Sequence, residues 1–106
     1  MKRELNKILD DLIIELEKMV TMLRRDTSAS WTRGFEGFLA EALDLKKAGY
    51  PGDGVRGLCG SVRSVYGGMG SFNDYFPQGG VSGEEFERVS TRIYELANEI
   101  RVISSY

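Results

Sequence analysis

The chain has 106 residues, with 14 basic and 16 acidic side chains, a formal net charge of −2, no histidine and a single cysteine, Cys59. That inventory excludes a zinc site built on His and Cys, a Ser-His-Asp or Cys-His mechanism and a disulfide framework, and it lacks the basic excess of a dedicated DNA binder. An apolar fraction of 42% and a charged fraction of 28% fit a single globular domain over residues 1–106 rather than a disordered chain.

The first 26 residues read as one long helix. Leu5, Ile8, Leu9, Leu12, Ile13, Leu16, Met19, Val20 and Leu23 fill one stripe of a helical wheel, and Lys7, Asp10, Asp11, Glu15, Glu17 and Lys18 lie mainly elsewhere. Six basic and six acidic residues balance between Met1 and Asp26. Ile14 falls off the stripe and is expected to be exposed. The longest apolar run here, Leu12-Ile13-Ile14, is far short of the roughly 20 residues of a membrane span. Asp10 and Asp11 interrupt any signal-peptide core. A lone thiol suits a reducing compartment, so the chain reads as cytoplasmic with no membrane role. Cys59 reads as a small buried apolar side chain.

Asp26-Thr27-Ser28-Ala29-Ser30 offers N-cap oxygens for a second helix from about Trp31 to Ala48. Its buried face is expected to be Trp31, Phe35, Phe38, Leu39, Ala42 and Leu45, with Leu43 on the flank. Gly34 and Gly37 sit inside it, each costing about 1 kcal/mol against Ala, and are expected to permit close helix approach. Gly49 is placed to end the helix and Pro51 to forbid its continuation.

A third helix follows, with Asp53 as its expected cap and Val55, Leu58, Cys59, Val62, Val65 and Tyr66 at helical rather than alternating spacing. Gly67 to Val81 reads as a loop of fifteen residues, long enough to suggest function. Ser82 and Glu85 form an S-x-x-E capping box for a fourth helix, with Val81 and Phe86 placed as a hydrophobic staple. Phe86, Val89, Ile93, Leu96, Ala97, Ile100 and Ile103 make its stripe. The expected fold is all-α, a compact antiparallel bundle of four helices with a long Gly-rich loop before the last.

Little in this pattern carries catalysis. Gly68-x-Gly70 is followed by Ser71-Phe72-Asn73, so neither dinucleotide nor P-loop patterns are completed. Asp10 with Asp11, and Glu84 with Glu85, are sequence neighbours that diverge on a helix and so make poor acid–base pairs. The helix-start rule explains Glu84, Glu85 and Glu87 without any function. The scattered arginines, among them Arg24, Arg25, Arg56 and Arg63, make no nucleic-acid footprint. The reading is therefore of a non-enzyme with no metal, no cofactor and no direct nucleic-acid partner. Phe72, Tyr75 and Phe76 are either a cover for the bundle core or aromatic anchors for a protein partner, with Asp74 beside them adding negative charge.

The segment Val65-Tyr66-Gly67-Gly68-Met69-Gly70-Ser71-Phe72-Asn73-Asp74 resembles the signature of a family of small bacterial proteins. In that family a helix ends in an aromatic residue followed by Gly-Gly-Met-Gly-Ser-Phe-Asn-Asp, and a Trp stands near the start of the second helix, as Trp31 does here. The layout is similar from Leu5 to Phe76, and about ten residues are specific. Family members commonly continue with an aliphatic residue where this chain has Tyr75-Phe76-Pro77. Most members have no assigned function, and some are immunity proteins of polymorphic or contact-dependent toxin systems.

The resemblance implies a cytoplasmic immunity protein that binds a cognate toxin domain, typically a nuclease such as an RNase, and blocks its active site or substrate groove. On that reading Asp74, Tyr75, Glu84, Glu85 and Glu87 are the expected contacts, because nuclease surfaces are basic. Gly67, Gly68, Gly70, Ser71, Phe72 and Asn73 form the structural motif. The competing expectation is a non-catalytic helical adaptor or small-ligand binder. The sequence does not itself indicate homo-oligomerisation, although exposed Ile14, Leu43 or Val102 would serve it.

Overall fold

The computed structural model describes residues 2–25, 31–66 and 83–104. Four helices follow in chain order: α1 (Lys2–Arg25), α2 (Thr32–Lys47), α3 (Gly52–Ser64) and α4 (Gly83–Ser104), with no strand among the described residues. They form an up-down-up-down ring. α1 packs most extensively on α4 and α2, α4 also on α3, and the α2–α3 contact is the thinnest. None of the described helices is long and apolar enough to cross a membrane.

The core follows the expected stripes. Leu9, Leu12, Leu16 and Met19 of α1, Phe35 and Ala42 of α2, Val55, Leu58 and Val62 of α3, and Ile93, Ala97 and Ile100 of α4 are fully buried. Phe35 meets Phe38 edge to face at a centroid distance of 5.4 Å, a geometry that adds to area burial. Trp31, Phe38, Leu39 and Leu45 are only partly buried against this core. Cys59 is buried, as expected, and burial pushes its thiol up to about 12 against a smaller lowering by Arg63. Such a thiol stays protonated and unreactive near neutral pH. Ile14, Leu43 and Val102 are exposed, and Tyr94 joins them.

The α2–α3 turn shows how the chain reverses. Gly49 has φ 85°, and its N–H donates to Lys46 O at 3.2 Å while the Tyr50 N–H donates to Leu45 O at 2.9 Å. This is the Schellman pair of bonds that satisfies the last carbonyls of a helix. Tyr50 is itself left-handed, at φ 61°. Its hydroxyl donates to Asp10 Oδ1 at 2.7 Å, and Lys46 lies 3.4 Å from the same oxygen. Asp10 therefore ties α1 to the α2–α3 turn. That hydrogen bond, reinforced by desolvation and the Asp10 charge, raises the Tyr50 hydroxyl above its ordinary value.

Two local expectations are corrected. Added methyl groups at Gly34 and Gly37 would meet nothing within 4 Å, and both residues are exposed. The close approach is instead at Gly54, where a Cβ would collide with Leu45 Cδ2 of α2. Asp53 is not the cap of α3. Extended Pro51 holds that position, and Asp53 sits in the first turn paired with Arg56. A missing N–H makes proline well suited to a helix start.

Candidate protein-binding groove

Because α1 closes the ring against α4, two helix flanks remote in sequence become neighbours. They enclose an open groove of about 630 Å³ lined by Glu15 and Lys18 of α1 and by Glu84, Glu85, Glu87, Arg88, Val89, Thr91, Arg92 and Glu95 of α4. Buried Val89 and Phe86 fix the orientation of the α4 start, turning inward and leaving the three glutamates around them exposed. The positive end of the helix dipole favours carboxylates there.

The groove is acidic, five glutamates against three bases. Two of the bases are engaged within their own helices: Lys18 with Glu15 at 3.2 Å and Arg92 with Glu95 at 3.7 Å. Glu84 and Glu87 form no ion pair among the described residues. Negative potential therefore concentrates at the end of the groove where α4 begins. A concentration of negative charge of this kind is suited to attracting a basic surface.

Of the expected contact residues, Glu84, Glu85 and Glu87 come together on this groove. Asp74 and Tyr75, with Gly67, Gly68, Gly70, Ser71, Phe72 and Asn73 of the motif, lie outside the described residues, as do Phe76, the Asp26–Ser30 segment and the Ser82 cap. Sequence reasoning did not find Glu15, Lys18, Arg88, Arg92 or Glu95. The i,i+3 pairing of Glu15 with Lys18 and of Arg92 with Glu95 was available as a signal, but the adjacency of α1 and α4 was not.

A smaller pocket of about 310 Å³ lies on the α3–α4 side, between Tyr66, Ser90, Thr91 and Tyr94. The Tyr66 hydroxyl donates to Ser90 O at 3.0 Å, and Ser90 Oγ donates back to it at 3.3 Å. The Tyr66 and Tyr94 rings meet edge to face at 5.3 Å. Burial drives the Tyr66 hydroxyl up to about 12 despite the Ser90 hydrogen bond. This is a structural anchor that docks the end of α3 on α4.

The model of a family described as a domain of unknown function (DUF6966) matches residues 24–84, more than half of the chain. The chain belongs to that family. The matched stretch takes in α2, α3 and the glycine-rich motif, and it ends at Glu84, on the rim of the groove. Most of α1 and α4, which supply the groove walls, fall outside it. Comparison with curated proteins and with solved structures returns no match.

Proposed function

We propose that this protein is an immunity protein: it binds a basic toxin domain, typically a nuclease such as an RNase, and neutralises it by covering its active site or substrate groove. The observation that carries the reading is the α1–α4 groove, where Glu84, Glu85 and Glu87 are exposed together beside Glu15 and Glu95. A nuclease surface that holds a phosphate backbone is basic, so an acidic inhibitor gains both orientation and association rate. The motif Gly67-Gly68-Met69-Gly70-Ser71-Phe72-Asn73-Asp74, similar to that of proteins carried beside toxins, supports the same reading. On this account the protein acts in the cytoplasm, supplies no chemistry and needs no cofactor.

The test is co-expression with the C-terminal domain of the polypeptide encoded immediately upstream, with one partner tagged. A stable one-to-one complex and rescue of growth are expected, with an affinity near nanomolar, about −12 kcal/mol. No complex and no rescue would overturn the reading for that pair.

A further inference from the structure

The two seams that α1 makes are closed differently. Two ion pairs bridge α1 to α2: Asp10 to Lys46 at 3.4 Å and Arg24 to Glu36 at 2.7 Å. α1 packs at least as extensively on α4, and the walls of the groove there carry five glutamates and three bases. Yet no ion pair among the described residues joins those walls. Lys18 turns to Glu15 of its own helix, and Arg92 to Glu95 of its own. Arg88, exposed on the α4 wall, pairs with none of the glutamates among the described residues.

Arg88 stands four residues on from Glu84 and three from Glu85, so it lies about 6 Å along α4 from the acidic end of the groove. That position restricts what can lie there. A uniformly basic surface drawn to Glu84 and Glu87 would press a further cation on Arg88, and like charges juxtaposed across an interface cost affinity. A surface with a carboxylate at that point instead gains a charge-assisted, bidentate contact. The spacing matches one turn of a helix or two residues of a strand.

We infer that the groove takes a partner segment of both signs. A lysine or arginine of that segment lies against the glutamates at the start of α4, and an aspartate or glutamate about 6 Å further along lies against Arg88. The inference deepens the immunity reading and rests on it. Arg88 is then the selector of the groove. The glutamates attract basic proteins in general, and Arg88 rejects those that lack the acid. Such a repulsive element separates a cognate partner from its competitors.

The test is the affinity of single variants of the full chain for the C-terminal domain encoded immediately upstream, measured at fixed ionic strength. Arg88→Gln is expected to weaken binding about tenfold and Arg88→Glu further, with the helical spectrum of each unchanged. Lys18→Gln removes an equal charge from the opposite wall and only makes the groove more acidic, so it is expected to tighten binding by about two- to threefold. Reversal of one aspartate or glutamate of the upstream-encoded domain to lysine is expected to restore binding to Arg88→Glu. Attraction by net charge alone gives the opposite sign at Arg88. A wild-type complex that Arg88→Gln and Arg88→Glu leave as tight, or tighten, would overturn the inference and leave the immunity reading standing. A wild type that forms no complex would overturn both.

Discussion

The two ends of this bundle handle their polar groups in opposite ways. At the α2–α3 end, the last carbonyls of α2 are satisfied by Gly49 and Tyr50, Tyr50 is hydrogen-bonded to Asp10, and Lys46 completes the cluster. At the other end α4 opens with Glu84, Glu85 and Glu87, all exposed. Beneath both ends the apolar core is equally closed: Leu9 and Val55 toward the first, Phe35 and Leu23 toward the second, are at most 1% exposed. The difference teaches where to look for each role. Polar groups answered from within the fold hold it together. Exposed charges gathered on one groove, as at the start of α4, are where a partner would be sought.

Substitutions at the two ends separate these roles. The largest expected effect tests the shared core. Phe35→Ala, on the glutamate side, should cost about 3–5 kcal/mol in chemical denaturation, and a loss below about 1 kcal/mol would show that end to be loosely packed. Alkaline unfolding comes next. Cys59 and Tyr66 are both raised to about 12, so the fold keeps them neutral after the unfolded chain has begun to ionise them at 9.0 and 10.0. Their contribution to stability is intact below about pH 9 and is lost as pH climbs toward about 12. Thermal melts at stepped pH should show a flat region followed by that fall, with Cys59 unreactive to thiol reagents until unfolding.

Smaller effects belong to the turn and to α2. Gly49→Val forces a β-branched residue into the left-handed region and should cost about 1–2 kcal/mol, with a smaller loss for Tyr50→Phe, which keeps the ring and removes the bond to Asp10. Gly34→Ala and Gly37→Ala should each stabilise by roughly 0.5–1 kcal/mol, because neither added methyl meets anything. A loss at either position would show that a close approach does exist there.

Most of the fold was legible in the sequence. Helical periodicity carries across Leu5 to Leu23 and Phe86 to Ile100 because one face of each helix must be buried, and that demand is local in the chain. The end of α2 was legible for the same reason, since a left-handed Gly followed by Pro is a local signal. What escaped was tertiary. A glycine announces room for a close neighbour but not whether one comes, so Gly34 and Gly37 misled where Gly54 is the residue in contact. The tie of Asp10 to the α2–α3 turn was not legible because its partner Tyr50 is forty residues away. Of the groove, only the α4 glutamates were legible, through the helix-start rule. Glu15 and Lys18 join them through the closure of α1 on α4, which no spacing along the chain encodes.

The exposed glutamates at the start of α4 are proposed to bind a partner beyond any part they play in starting the helix. The direct measurement pairs two readouts on the triple variant Glu84→Gln, Glu85→Gln, Glu87→Gln: its unfolding midpoint, and its affinity for the C-terminal domain encoded upstream. The expected outcome is a folded variant, about 1–2 kcal/mol less stable because the start of α4 loses its carboxylates, with an affinity at least tenfold weaker, about 1.4 kcal/mol. An unchanged affinity in a folded triple variant would contradict it.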